Sequence, residues 1–176
     1  MERYLDLAWG RYAKLVLLLS AAIFYFITVF NNIVDYSANL RFIQNVAGMT
    51  DTFNDTLLWR RMESDFMHWL LYVVIIGWEL LAGVLCVYAG YLCWKYRNEG
   101  AALFKRARTA GMIAHLFGLM LWYFAFIIVG GQWFLMWQSE NWNGQDAAFR
   151  MIGITGLILL FHGLYPDDFK EEASAE

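Results

Sequence analysis

Proline, cysteine and reactive motifs are what this sequence has least of. It contains one proline and two cysteines among 176 residues, and it shows no catalytic motif, transport signature or metal-ligand cluster. Cys86 and Cys93 are seven residues apart, about 10 Å along a helix, which is too far for a disulfide between them. We therefore expect them to pack as small apolar residues, and we expect no metal site, no cofactor and no catalytic residue.

Apolar residues dominate what is present. They make up 60% of the chain, and the mean hydropathy is +0.42, whereas a soluble domain typically has about 45–50% apolar residues. Four stretches can each cross a hydrocarbon layer about 30 Å thick at about 1.5 Å per helical residue. They are residues 13–34, 67–94, 109–137 and 148–165. The sequence therefore predicts an all-α, four-span transmembrane helix bundle in one domain, residues 1–165, followed by an acidic, flexible tail, residues 166–176.

The positions of the cations predict the orientation of this bundle. Nine of the thirteen lysines and arginines lie before the first span, between the second and third, or after the fourth. Only Arg41, Arg60, Arg61 and Arg150 lie on the other side. Cytoplasmic loops carry the excess of positive charge, so both termini are expected to be cytoplasmic. The juxtamembrane positions account for the basic residues, and no nucleic-acid partner is predicted.

The two outer connections, residues 35–66 and 138–147, hold most of the polar sequence outside the spans. Leu40, Ile43 and Val46 recur at helical spacing in the first connection. Residues 48–52 then interrupt the pattern, and Leu57 and Met62 resume it. We expect two short amphipathic helices that lie on the membrane surface or cap the bundle.

Glu79 is the most informative single residue, because it lies near the middle of an otherwise uncharged span. A carboxylate there costs at least about 2.5 kcal/mol on insertion scales, so it needs a partner or a proton. Counting about fifteen residues from the inner ends of the spans puts Arg150 at a similar depth, which favours an ion pair. Two alternatives stay open: a carboxylate that carries protons or cations, and a neutral acid bonded to Asn31, Asn32 or Gln132.

Histidines supply a second candidate site. His115 on the third span and His162 on the fourth are the one pair of imidazoles expected on facing helices at comparable depth. Such a pair could bind haem b axially. Their estimated depths differ by almost a turn, however, and a structural role for each histidine is the simpler interpretation.

A polar and aromatic cluster is predicted at the outer end. Its members lie where the first span exits and where the third span leads into the fourth. They are Asn31, Asn32, Asp35, Tyr36, Asn39, Trp133, Trp137, Gln138, Trp142 and Asn143. Such residues can cap helices and anchor at the membrane interface. They could equally line a pocket for a lipid headgroup, a quinone ring or a small polar solute.

Small residues inside the spans recur every seven positions. The positions are Gly83 and Gly90, then Gly111, Gly118 and Ala125, then Gly156 and Gly163. A heptad of small residues keeps one seam facing a neighbouring helix and lets the backbones approach closely. We predict a left-handed bundle packed along these seams.

A long and unusual block follows the third span. It consists of Gly130-Gly131-Gln132-Trp133-Phe134, Met136-Trp137-Gln138-Ser139 and Trp142-Asn143-Gly144-Gln145. Through this block above all, and over most of its length, the sequence resembles a bacterial family of predicted small integral membrane proteins of unknown function. The family often has glutamate where this chain has Gln132. The resemblance implies a bacterial inner membrane and four spans, and it implies no activity.

These observations favour a non-enzymatic interaction or accessory subunit that presents an aromatic, amide-rich outer surface to a partner protein or a lipid. Membrane lipids, a second copy of the chain or a larger membrane complex are the expected partners. A small-solute or proton-coupled transporter that uses Glu79 is the first alternative. A redox subunit that binds haem through His115 and His162, or a quinone, is the second.

Overall fold

The computed structural model describes residues 2–53 and 55–165, and the predicted tail, 166–176, lies outside them. Within the described residues the chain is helical and contains no strand. The α-helices are α1 (Glu2–Val34), α2 (Tyr36–Ala47), α3 (Asp65–Lys95), α4 (Ala101–Met120) and α5 (Gln145–Leu164). A π-helical segment, Leu121–Trp133, continues α4, and two short 3₁₀ helices span Asp55–Arg60 and Met136–Gln138.

Four helices are long and apolar enough to cross a membrane, which confirms the predicted fold class. They are Trp9–Val34, Asp65–Lys95, Ala101–Trp133 and Gln145–Leu164. The third span differs most from its predicted bounds, 109–137. Helix α4 already begins at Ala101, so the basic residues that precede the apolar stretch are part of the helix. The span ends at Trp133 because Leu135 adopts a left-handed conformation with φ of 55°, which cannot continue a right-handed helix.

The spans pack mainly on their neighbours in the chain. Helix α1 lies against α3, α3 against α4, and α5 against both α4 and the π-helical segment. The buried residues of α1 repeat at helical spacing, with Leu18, Ala22 and Tyr25 facing the core. Neither Cys86 nor Cys93 forms a disulfide, and both are buried in the same core, as predicted for small packing residues.

The small-residue seams are confirmed. A methyl group added to most of these glycines would meet a side chain of a neighbouring helix. Phe26 faces Gly83, Leu19 faces Gly90, His162 faces Gly111, Tyr25 faces Gly118, and Met112 faces Gly163. Close approach of backbones matters because, between helices surrounded by lipid, association depends on van der Waals packing rather than on the hydrophobic effect.

The two long connections meet at one end of the bundle and form what we call the cap, residues 35–64 and 133–144. Helix α2 and the 3₁₀ helix Asp55–Arg60 lie on either side of a break, as the pattern predicts. The connections share a second hydrophobic core, which is separate from the core between the spans. Its buried members are Val46, Ala47, Met49, Phe134, Leu135 and Met136.

Candidate functional site

A carboxylate ties the two halves of the cap together. The hydroxyl of Ser139 donates to Oδ2 of Asp51 at 2.8 Å, and the backbone and side-chain nitrogens of Asn141 donate to the same oxygen at 3.3 and 3.2 Å. Ser139 Oγ in turn accepts the backbone N–H of Trp142 at 2.7 Å. The first connection is thereby joined to the second across almost ninety residues of sequence.

The backbone of the cap is unusual at two points. Met49, with φ of 51°, and Leu135, with φ of 55°, are the residues other than glycine with positive φ in the described chain. Both side chains are buried, at 4% and 6% exposure, in the shared core of the cap. A left-handed conformation costs a branched or bulky residue of the order of 1–3 kcal/mol and persists only where the surrounding packing determines it. The cap is therefore a specifically packed structure.

Acid should loosen this cap through Asp51. The hydroxyl of Ser139, followed by the backbone N–H of Asn141, holds the pKa of the Asp51 carboxyl below its usual value. Since the folded pKa is lower than the unfolded value of about 3.9, these bonds stabilise the cap above about pH 4, and the contribution is lost as pH falls through the folded pKa. We expect the tryptophan fluorescence of the protein in detergent to change below about pH 4.

Two variants assign that acid transition. Asp51→Asn cannot form the ionised network, so it should lack this transition and show a loosened cap at neutral pH. Asp146→Asn is the matched control, because Asp146 is exposed in the first turn of α5. A transition that survives in Asp51→Asn would mean that another carboxyl controls the cap.

Aromatic side chains cover the surface of the cap in contacting pairs. The rings of Phe53 and Trp137 meet edge to face with centres 5.8 Å apart, and those of Trp59 and Trp133 do so at 5.9 Å. The guanidinium of Arg60 lies 4.9 Å from the ring centre of Trp133 and 5.4 Å from that of Trp59. Phe53 and Trp59 are 73% and 70% exposed, so a rigid scaffold presents large apolar surface outward.

An apolar cavity lies beside the cap, between α2, α3 and the π-helical segment. Its volume is about 190 Å³, and its lining includes Phe42, Val74, Trp78, Phe124 and Gly130. Val74 and Phe124 are about half exposed, at 51% and 44%, so the cavity opens on the side of the bundle. An engineered apolar cavity of about 150 Å³ holds a benzene molecule, so this space can accommodate an apolar side chain or part of an acyl chain.

The π-helical segment forms one wall of that cavity. Trp78 on the opposite wall donates its indole N–H to the carbonyl of Phe117 at 3.1 Å, in the last turn of α4 before the hydrogen-bonding pattern changes. π-helical turns are rare and are frequent at functional sites. At its other end, Phe134 N–H reaches the carbonyl of Val129 at 3.0 Å. The chain enters the cap at this end of the π-helical segment.

Glu79 is buried, at 2% exposure, between α1 and α3. Its Oε2 accepts a hydrogen bond from Nδ2 of Asn32 at 2.7 Å. The hydroxyl of Tyr72 donates to the backbone carbonyl of Asn32, and the ring of Tyr72 meets that of Tyr36 edge to face, with centres 5.2 Å apart. Of the partners that the sequence offers, the structure brings Asn32 to Glu79.

The prediction of an ion pair between Glu79 and Arg150 is wrong. Within the described residues no ion pair joins them, and the side chains of both Arg150 and Gln132 are exposed. Counting residues along a span gives the depth of a side chain, but not the direction in which it points. Glu79 points at α1, whereas α5, which carries Arg150, packs on α4 and the π-helical segment.

The structure divides the predicted outer cluster into two groups. Trp133, Trp137, Gln138, Trp142 and Asn143 lie in the second connection, residues 133–144 of the cap. Asn31, Asp35 and Asn39 make local contacts at the junction of α1 and α2, where Nδ2 of Asn39 donates to the Asp35 carbonyl at 2.9 Å. Across residues 2–53 and 55–165, no hydrogen bond or ring contact joins the two groups.

The two predicted histidines meet in the core. The ring centres of His115 and His162 are 4.8 Å apart, with 60° between the rings, and the exposures are 1% and 0%. Iron bound axially between two imidazoles, with Fe–N distances of about 2 Å, needs ring centres about 6 Å apart. The pair as placed therefore does not fit a haem. In the described part of the chain no three potential metal-ligating side chains gather into a group.

The sequence profile of one protein family matches residues 10–165. The chain belongs to this family, described as predicted small integral membrane protein (DUF2165). The match includes nearly all of the first span, the three other spans and the whole cap. No curated protein and no solved structure matches the chain. The family assignment thus establishes a small integral membrane protein, and the cap, the cavity and the Glu79 pair are the features from which a role can be argued.

Sequence reasoning did not find Asp51, Arg60 or the cavity. Asp51 lies in the predicted break between two helical patterns, where aspartate is an ordinary turn residue. Its partners follow the third span, so no local pattern connects them. The density of tryptophans in the outer connections is the signal that the sequence does offer, and it indicates the end of the bundle at which the cap lies.

Proposed function

We propose that this family member is a non-enzymatic interaction subunit of a bacterial inner membrane, and that its cap and adjoining cavity bind a second membrane protein. The observation that supports this most directly is the combination of a rigidly built cap with exposed tryptophan pairs and an open apolar cavity beside it. The partner is a different membrane protein or a second copy of this chain.

The distribution of cations supports an outward-facing cap. The last residue of α3, the connection to α4 and the first turns of α4 together carry five lysines and arginines, whereas the cap carries three. The positive-inside rule then puts the α3–α4 connection and both termini in the cytoplasm. The cap lies at the opposite ends of the same helices, on the outer face of the membrane.

The chemistry of the cap suits a protein partner. Tryptophan, tyrosine and arginine dominate the binding energy of protein interfaces, and they do so from rigid, well-packed positions. Arg60 lies across Trp59 and Trp133, and its Nε is buried without a hydrogen bond to any described residue. The residue as a whole is only partly buried, so a partner that supplies a carboxylate could bind the guanidinium beside the two rings.

The cavity suits a partner that is itself in the membrane. Association between helices in lipid depends on packing, because acyl chains are as apolar as leucine side chains. A preformed cavity next to the cap allows a partner helix to insert one side chain and gain contacts that a flat helix face does not offer. Cap and cavity together form one recognition surface at the outer end of the bundle.

Purification at native abundance in mild detergent should therefore recover a stoichiometric complex that depends on the cap. We expect Trp59→Ala with Trp137→Ala to weaken it about 30-fold or more, since central tryptophans typically cost 2 kcal/mol or more when truncated. Ala125→Leu, which fills part of the cavity from the π-helical segment, should weaken it without changing the cap. Mass spectrometry of the complex, together with chemical crosslinking, identifies the partner and its copy number.

Two controls separate this interaction from simple anchoring at the membrane surface. Trp9 is 71% exposed at the opposite end of the bundle, so Trp9→Ala should leave the complex intact. Ala147→Leu adds the same bulk as Ala125→Leu at an exposed position of α5. A monomer with no protein partner, or equal losses from the cap and control variants, would contradict the proposal.

A further inference from the structure

A groove runs between α3 and α4 at the end of the bundle opposite the cap. Its volume is about 600 Å³. The α3 wall consists of Tyr88, Leu92 and Tyr96, which repeat every four residues on one face of the helix. The α4 wall consists of Ala102, Lys105, Arg106, Thr109, Ala110 and Ile113.

Side-chain size explains why the helices leave a groove here. Long tyrosines on α3 stand opposite the small residues Ala102, Thr109 and Ala110 on α4. The same two helices are in close contact at the core, where Ala89, Cys93 and Ala107 are fully buried or nearly so. The groove is therefore the outward-facing side of an otherwise tight helix pair.

The two ends of the groove differ in chemistry. Lys105 and Arg106 lie at one end, both exposed, and in the described part of the chain neither forms an ion pair or a hydrogen bond through its side chain. Ile113 lies eight residues further along α4, about 12 Å deeper along the helix axis. The described lining contains no acidic residue. Cationic and apolar surfaces are thus joined in one groove of molecular size.

We propose that this groove binds an anionic phospholipid, with its phosphate at Lys105 and Arg106 and an acyl chain along the apolar part that ends at Ile113. Basic pockets between transmembrane helices bind anionic lipid headgroups in this way. Arginine presents a planar fork that matches phosphate oxygens, and lysine adds a point charge. Nearby, Lys95 lies 5.4 Å from the ring centre of Tyr96, so the headgroup end is positively charged on both helices.

The geometry of the groove favours a lipid from the bilayer, rather than a soluble phosphate, as the ligand. A soluble anion would use Lys105 and Arg106 alone, and it would leave the apolar half of the groove without a function. A phospholipid fills both halves. The groove opens on the outside of the α3–α4 pair, where membrane lipids surround the bundle. The proposal does not depend on the partner bound by the cap.

The test uses the full chain purified in detergent and dioleoyl phosphatidylglycerol as the probe. Lipid binding is measured by native mass spectrometry and by the shift of the unfolding temperature. We expect phosphatidylglycerol to bind the wild type more tightly than dioleoyl phosphatidylcholine does. Lys105→Ala with Arg106→Ala should weaken phosphatidylglycerol binding about 30-fold and leave phosphatidylcholine binding unchanged.

Two further variants show whether the loss of binding is specific to the groove. Thr109→Phe fills it from an exposed position without removing charge, and it should also weaken phosphatidylglycerol binding. Arg41→Ala with Arg150→Ala removes two exposed cations at the other end of the bundle, and it should have no effect. Equal binding of the two lipids, equal losses from the control pair, or an equal thermal shift with inorganic phosphate alone would overturn the proposal. So would a dimer that buries the groove.

Discussion

Replacing Gly118 with alanine is expected to destabilise the bundle by about 3 kcal/mol, because one methyl group would overlap a buried tyrosine. A Cβ atom at this position would lie 2.8 Å from Cζ of Tyr25 and still closer to its hydroxyl oxygen. Tyr25 is 2% exposed. Its ring packs edge to face on Phe24 with centres 5.4 Å apart, so it cannot move aside without disturbing the core.

Gly77 provides a matched control on the adjacent helix. No atom lies within 4 Å of a Cβ built there, so Gly77→Ala should be neutral or stabilising by up to about 1 kcal/mol through helix propensity. Unfolding in mixed micelles, followed by circular dichroism, measures both changes. Adding Tyr25→Phe should recover part of the loss in Gly118→Ala, since it removes the nearest atom. Similar stabilities of the two alanine variants would mean that the helices do not approach as closely as described.

The four spans and the seams could be predicted because both are local patterns. A run of about twenty apolar residues is sufficient to identify a membrane helix, and a seven-residue repeat of small residues is sufficient to mark its packed face. Gly111 and Gly118 face His162 and Tyr25, as this reasoning requires. The bounds do not follow from hydropathy alone, since α4 begins at Ala101 and its first turns are charged.

The candidate site could be predicted only in part, because its geometry depends on which way each helix faces. Depth counting put Arg150 level with Glu79, yet the two side chains point in different directions. Nothing in the sequence around Leu121 distinguishes a π-helical from an α-helical continuation. The bond from Ser139 to Asp51 joins distant segments, and such pairs follow from the assembled fold.

The protein has three structurally distinct regions. The cap has its own core and its own polar network, the cationic groove lies at the other end, and the spans between them are held by close packing around small residues. Because the cap core is separate from the span core, cap variants test the proposed partner binding without unfolding the bundle. The Glu79 pair belongs to the spans, so its replacement tests the bundle itself.

Replacing Asn32 with leucine is expected to destabilise the protein by about 2–3 kcal/mol, because the carboxyl group of Glu79 would remain buried without its donor. Breaking one side of a buried polar pair costs more than the pair contributes, since the remaining group keeps its desolvation penalty. Asn31→Leu is the matched control, as the neighbouring Asn31 side chain is exposed, and it should change stability by less than about 0.5 kcal/mol.

Two further variants show whether the pair itself carries this effect. Glu79→Gln keeps an acceptor for Asn32 and should cost little, whereas the double variant Asn32→Leu with Glu79→Leu should recover most of the loss, because two apolar side chains replace both partners. Unfolding in mixed micelles gives the coupling free energy from the four stabilities. If Asn32→Leu behaves like Asn31→Leu, Glu79 has a donor other than Asn32. Its burial between α1 and α3 would then need a different explanation.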